Sequence, residues 1–335
     1  MFSSGMAAIS TVLQSLAPGS HVISVSDVYG GTYRYLTQFA PGHGVTATFT
    51  LDVESNFHTL KTPNTKLIWI ETPSNPTLRV ANIAAIAEAA HHVGIQVVVD
   101  NTLLSPYIQN PLKHGADIVV HSVSKYINGH SDVLMGAVVF NDPELYPRLQ
   151  LLQKGVGAVP SPFDCWLARR GMKTLHLRAH AASFNASAIA AILQSSPHVL
   201  KLNYPGLESH PNHKAVLQQH RDGMGGGMLS FRIKGGSKAA AAFCQNTRLF
   251  TLAVSLGGVE SLVEVPSLMT HAGIPMAHRH MDEMFDDLVR LSCGIESSID
   301  LCNDVVQALD KAAIIRDQVG ETASDGKETL QSNDY

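Results

Sequence analysis

Ile95-Gln96-Val97-Val98-Val99-Asp100-Asn101-Thr102 and, farther on, Asp117-Ile118-Val119-Val120-His121-Ser122-Val123-Ser124-Lys125 decide the fold. Each is a short, nearly continuous apolar run that ends in polar, chemistry-bearing residues. Such runs are typical of central strands in a parallel sheet covered on both faces. Further runs of this kind flank them at His21–Val25, Val45–Phe49, Leu67–Ile70 and Leu134–Phe140. Helical patterns separate the strands. Ala8–Leu16 is stopped by Pro18-Gly19, and a helix capped by Asn82 runs to about Val93, with Ile83, Ile86, Ala87 and Ala90 on one face and Gly94 as its stop. Strand–helix alternation at this spacing predicts an α/β fold, a largely parallel sheet with helices on both faces.

Beyond it, Gly171 to about Leu193 reads as one long helix bridging to a second, smaller α+β domain. That domain is expected to hold strands at Gly227–Lys234 and Thr251–Val254, with helices at Lys238–Asn246 and Asp300–Ala313. The predicted division is residues 1–172, 173–316 and an unstructured polar tail over 317–335. Length agrees: 335 residues suggest two domains at roughly 150 residues each. Charged residues are 16% of the chain, below the roughly 25% of average composition, and the net charge is −4. Without basic excess, binding to nucleic acid is not expected. No apolar run reaches the roughly 18 residues of a membrane span. Cys165, Cys244, Cys293 and Cys302 form no CxxC pair, which predicts free thiols and a cytoplasmic setting. The 17 histidines include no HExxH, and His278-Arg279-His280 is expected in a polar loop, so no metal is expected. Gly223-Met224-Gly225-Gly226-Gly227 reads as a loop, not a phosphate-binding motif.

In an open parallel sheet, ligands bind beyond the carboxyl ends of the strands. Asp100 sits at such an end, and Ser122, Ser124 and Lys125 follow the next strand. A desolvated lysine at that rim has a lowered pKa and can form a Schiff base. A lysine, an acid for a pyridinium nitrogen and hydroxyl donors for a phosphate are the set that pyridoxal phosphate requires.

These residues lie within longer matching stretches. They are Ser4-Gly5-Met6-Ala7-Ala8, Asp27-Val28-Tyr29-Gly30-Gly31-Thr32, Glu71-Thr72-Pro73-Ser74-Asn75-Pro76-Thr77, Val99-Asp100-Asn101-Thr102, Ser122 to Asp132, Gly157 to Pro162, Tyr204-Pro205-Gly206-Leu207, Ser255-Leu256-Gly257-Gly258 and Arg290-Leu291-Ser292. With them the chain resembles, from Met1 to about Ala313, the Cys/Met-metabolism group of fold-type I pyridoxal-phosphate enzymes, nearest to its cystathionine γ-lyase branch. The resemblance implies a mostly parallel seven-stranded-type sheet between helices. It also implies trans-sulfuration chemistry on a small amino-acid substrate, with cystathionine giving cysteine, 2-oxobutyrate and ammonia. Methionine γ-lyase, homoserine-ester sulfhydrylase, cystathionine γ-synthase and cystathionine β-lyase chemistry stay open, as does a non-catalytic paralogue. A homotetramer built from tight dimers is the implied assembly. In the family several dozen residues, with a Tyr-x-Arg pair for the neighbour's cofactor phosphate, precede the Ser-Gly-Met turn. Here Met1 stands just before that turn, so weakened cofactor retention and a looser dimer are expected.

Carried over residue by residue, the resemblance makes Lys125 the covalent anchor and proton shuttle, and Asp100 the partner of the ring nitrogen. Tyr29 stacks on the ring and relays protons. Gly5 and Met6 offer backbone N–H groups to the phosphate, joined by the hydroxyls of Ser122 and Ser124. Asn75 approaches the ring's phenolic oxygen. Arg290 grips the substrate α-carboxylate, supported by Ser255. Val254 stands where the γ-lyases usually carry Glu, whereas Arg34 keeps their pattern, so the distal pocket is expected to be mixed.

Overall fold

In the computed structural model the described residues are 1–273 and 276–328, and side chains are described through residue 314 except 277, 278 and 280. Six strands form the first sheet: β1 His21–Val25, β2 Thr46–Thr50, β3 Thr65–Glu71, β4 Gln96–Asp100, β5 Ile118–Ser122 and β6 Gly136–Phe140. Their order is β2-β1-β3-β4-β5-β6. The first five are parallel and β6 runs antiparallel to β5. The resemblance implies seven strands. Among the described residues a seventh partner of β6 is reduced to one antiparallel bridge, Phe2 to Gly136.

The strands form where apolar runs are buried on both faces. Val22, Ile23, Ile68, Trp69, Ile70, Val97, Val98, Val99, Val119 and Val120 lie in one core cluster. Each such side chain contributes about 1.5–3 kcal/mol. Helices α1 Gly5–Gln14, α2 Gly30–Arg34, α3 Val53–Leu60, α4 Ile83–His91 and α5 Ser105–Ile108 interleave with the strands. Capping sets their starts: Ser4 Oγ accepts the N–H of Ala7 at 2.9 Å, and Asn82 Oδ1 accepts that of Ala85 at 3.2 Å. Helix α3 was not anticipated from sequence; its cap is Asp52, whose Oδ1 accepts the N–H of Ser55 at 3.0 Å.

Three helices follow β6: α6 Leu145–Val156, α7 Pro162–Met172 and α8 Leu175–Ser195. The expected single helix from Gly171 is therefore two, broken at Lys173-Thr174. The break has a cause. Arg178 Nη2 donates to the Gly171 carbonyl at 2.7 Å and Nε to Thr174 Oγ1 at 3.0 Å, which holds the turn open.

A five-stranded sheet follows, in the order β7-β8-β11-β10-β9. It comprises β7 Val199–Asn203, β8 Met228–Ile233, β9 Thr251–Leu252, β10 Leu262–Glu264 and β11 Leu288–Ser292. Helices α9 His213–Gln219, α10 Gly236–Asn246, α11 Met276–Met281 and α12 Ser298–Glu328 accompany it. Gly223 closes a short 3-10 turn, and Met224 to Gly227 form a loop entering β8. His278-Arg279-His280, expected in a loop, falls in the short helix α11. Helix α12 runs on through Glu328, so residues 317–328 of the tail expected to be unstructured are helical, and residues 329–335 lie outside the described residues. All four cysteines are free. No helix among the described residues is long and apolar enough to cross a membrane.

Candidate functional site at the carboxyl ends of the first sheet

Strands β3 and β4 end side by side, so that Glu71 and Asp100 are register partners. Both side chains are buried. Asp100 Oδ1 accepts the N–H of Thr102 at 3.0 Å and also its hydroxyl, and that hydroxyl accepts the N–H of Ser122 at 2.9 Å. Burial pushes Asp100 up to about 6 against these hydrogen bonds. Burial first, then neighbouring Asp100, holds Glu71 well above the usual carboxylate range, although its Oε2 accepts the N–H of Tyr29 at 2.8 Å. Adjacent carboxyls in an apolar site do not both ionise cheaply. Asp100 Oδ2 makes no hydrogen bond among the described residues, so one acceptor stays open for a cationic N–H.

Lys125 stands on the turn after β5. The turn is fixed by Lys125 N to Ser122 O at 3.2 Å and Gly129 N to Lys125 O at 2.8 Å. Arg178 clamps it from α8, donating to the carbonyls of Tyr126 at 2.6 Å and Ile127 at 3.2 Å. Nζ of Lys125 donates to Ser255 Oγ at 2.6 Å. Burial, and then the positive Arg290, bring the amine down to about 8, while Glu264 opposes them. A lysine so placed is a neutral nucleophile for an appreciable share of the time near pH 8.

Ser255 has φ 93°, a left-handed conformation costly for a non-glycine residue. Two contacts hold it there: the Lys125 amine on Oγ, and Arg290 Nη2 on its carbonyl at 2.7 Å. The same turn cuts β9 to two residues, shorter than the expected Thr251–Val254. Val254, just before it, is 54% exposed.

Arg290 is buried, and its N–H groups are largely assigned. Nη1 donates to Asn75 Oδ1 at 3.0 Å and pairs with Glu264 Oε1 at 2.9 Å. Nη2 spends one N–H on Ser255. Nε, though buried, has no partner. The adjacent Nε and Nη2 positions form the edge of a guanidinium that takes a carboxylate bidentately.

Helix α1 brings its N-terminus to Ser122. A Cβ on Gly5 would come within 2.9 Å of Ser122 Cβ, so only glycine allows this approach. The first N–H groups of a helix lack intrahelical partners and suit an anion. The Ser122 hydroxyl makes no hydrogen bond among the described residues, whereas Ser124 Oγ accepts the N–H of Met135 at 3.0 Å. Tyr29, at the start of α2, is 44% exposed. Its ring lies where a Cβ on Gly31 would stand, 2.4 Å from Cε1, and that Cβ would also meet Met6 Sδ at 2.6 Å.

The structure thus gathers Lys125, Ser255, Arg290 and Asn75 in one hydrogen-bonded chain. It puts Gly5 beside Ser122, and Met6 beside Gly31 and Tyr29. Arg34, by contrast, is exposed at the end of α2 and its side chain makes no hydrogen bond or ion pair among the described residues. Sequence reasoning assigned no role to Glu71, Thr102, Arg178 or Glu264. Glu71 carries the same signal as Asp100, an acid closing an apolar strand. Glu264 is an acid inside the apolar run Leu262-Val263-Glu264-Val265.

Pyridoxal phosphate fits these residues. The open Asp100 oxygen suits a ring N–H, the depressed Lys125 amine suits a carbonyl, and the α1 N-terminus with the unpartnered Ser122 hydroxyl suits a phosphate. Comparison with known proteins agrees. Residues 1–310 match the family model described as Cys/Met metabolism PLP-dependent enzyme. The cystathionine γ-lyase of Saccharomyces cerevisiae is 57% identical over 316 residues, spanning 93% of this chain and 80% of that protein. That of Dictyostelium discoideum is 51% identical over 314 residues, spanning 92% and 80%. A crystal structure of the yeast enzyme superposes with a TM-score of 0.90 at 56% identity, covering 93% of this chain and 81% of that one.

Proposed function

The chain belongs to the Cys/Met-metabolism family of PLP-dependent enzymes, and from that membership we propose that it cleaves cystathionine at its γ-carbon, giving cysteine, 2-oxobutyrate and ammonia. Its cofactor is pyridoxal 5′-phosphate and its chemistry that of a carbon–sulfur lyase. Arg290 carries the assignment. Its open Nε edge suits an α-carboxylate, and Ser255 ties the same guanidinium to the Lys125 amine, as an amino-acid substrate requires.

When bound, the cofactor supplies an electron sink for charge developing at the substrate's α-carbon. The protein does the rest. Lys125 Nζ is the attachment point and, once displaced, the base that takes the α-proton. Its depressed pKa leaves it neutral at little cost for that step. Asp100 Oδ2 would keep the ring nitrogen protonated. Gly5 and Met6 N–H groups with the Ser122 and Ser124 hydroxyls would hold the phosphate. Tyr29 would cover the ring, and its phenol could pass a proton toward the leaving sulfur. Asn75, whose Oδ1 is taken by Arg290, would offer its amide nitrogen to the phenolic oxygen. Ser255 steadies both Lys125 and Arg290. The same proposal includes a chain divided at residues 172/173 and a cytoplasmic homotetramer, supported by family membership and by four free thiols.

One observation favours a second substrate. Val254 is apolar, exposed and adjacent to Ser255, so it offers no counter-charge to the distal ammonium of cystathionine. Burying a thioether methyl there gains about 0.8 kcal/mol. Leaving a desolvated ammonium unpaired costs about 1–3 kcal/mol. Val254→Glu is therefore expected to raise kcat/KM for cystathionine relative to methionine by roughly tenfold, the factor for 1.4 kcal/mol. Steady-state kinetics on both substrates check it, and an unchanged ratio removes Val254 from specificity.

A further inference from the structure

Glu264 and Arg290 face each other across β10 and β11, paired by register. Their side chains are 0% and 3% exposed. Thr270 donates its hydroxyl to the same Oε1 that meets Arg290, at 2.7 Å, and Oε2 has no partner. Lys125, Arg290, His271 and Cys244 are the other titratable groups that interact with this site, and Tyr126 and Glu71 interact with the guanidinium. None of the steps above uses Glu264. Yet a buried guanidinium stripped of its counter-charge is strongly destabilising, and so is the buried carboxylate left behind.

On the reading that Arg290 receives the substrate carboxylate, we propose that Glu264 is its resident counter-ion, a positioning residue that occupies Nη1 and leaves the Nε edge turned to the incoming carboxylate. The three partners divide the work. Asn75 takes one N–H of Nη1 and Ser255 one of Nη2, Glu264 Oε1 stands 2.9 Å from Nη1 as an ion pair, and turning the fork breaks these contacts. A substrate carboxylate then meets a guanidinium already oriented, so less of the binding free energy is lost to ordering it. The carboxylate also adds to a charge that was compensated before it arrived. Glu264 therefore weakens the fork's pull on anions in exchange for a stable empty site.

The test uses the cofactor-loaded full chain and the variants Glu264→Gln, Arg290→Met and their combination. In thermal melts each single variant is expected to lower Tm, and the double variant to recover most of the loss, because neither charge is then stranded. Strictly additive losses would overturn the pairing. Ligand binding is read from the change in cofactor absorbance, with glycine as the carboxylate-bearing probe and methylamine as the probe without one. In Glu264→Gln, glycine supplies the missing counter-charge, so its Kd is expected to fall on the order of tenfold while that of methylamine stays put. Equal changes for both probes would overturn the proposal, and this comparison stands even if Arg290→Met does not fold. Arg290→Met separately tests the underlying reading. If it weakens glycine and methylamine equally, Arg290 is not the carboxylate site, whatever the melts show.

Discussion

Lys125→Ala protein is expected to lose turnover and the absorbance band near roughly 420 nm that marks lysine-linked pyridoxal phosphate. Two losses coincide, since Nζ is both the covalent anchor and the base. General acid–base catalysis alone is worth about 10²–10⁴-fold. The structure provides a control on folding. Burial and Arg290 hold the Lys125 pKa near 8, below its unfolded value, so the native state without cofactor carries the charged amine at a cost. That cost is full below pH 8 and disappears as pH rises toward the unfolded pKa. Removing the amine is thus not expected to lower Tm in neutral buffer by more than its few packed methylenes account for. Activity retained in Lys125→Ala would refute the site. A collapsed melt would assign the loss to folding.

Asp100→Asn is expected to be the next most damaging change. Asparagine keeps the shape that Thr102 grips but cannot hold a proton on the ring nitrogen. Truncating one partner of a buried charge pair costs about 2–5 kcal/mol, roughly 30- to 3000-fold in kcat/KM. Stability is expected to move the other way. Burial raises the Asp100 pKa to about 6, so between its unfolded value and 6 the native state binds more protons than the unfolded one. Wild-type stability therefore falls as pH rises through that window, and the Asn variant lacks this fall. Without cofactor, the variant should melt at or above wild type at pH 8, and the two should converge near pH 4. A variant with wild-type kcat/KM would contradict the role of Asp100.

The site was most legible where local pattern sufficed. Asp100 and Lys125 close uninterrupted apolar strands, and in a parallel sheet all such ends lie on one side, so their meeting follows from topology. Glu71 closes its strand in the same way and could have been read with them. Contacts between distant segments could not. The Lys125 amine meets Ser255 across 130 residues of sequence, and the pairing of Glu264 with Arg290 depends on how β10 and β11 register. The break between α7 and α8 was hidden for a related reason. Gly171-Met172-Lys173-Thr174 contains no proline, and the turn depends on a guanidinium from the following helix reaching back to it. Ser255 is a further case: the expected strand stops just before it at Val254, and its left-handed φ is held by two tertiary hydrogen bonds that no local pattern announces.

Product analysis tests the central claim most directly. The purified chain, supplied with pyridoxal phosphate, is incubated with L-cystathionine and the products are separated and identified. Cleavage at the γ-carbon yields cysteine, 2-oxobutyrate and ammonia in equal amounts, and this is the predicted result. Homocysteine with pyruvate, or no turnover by protein that shows the cofactor band, would contradict it.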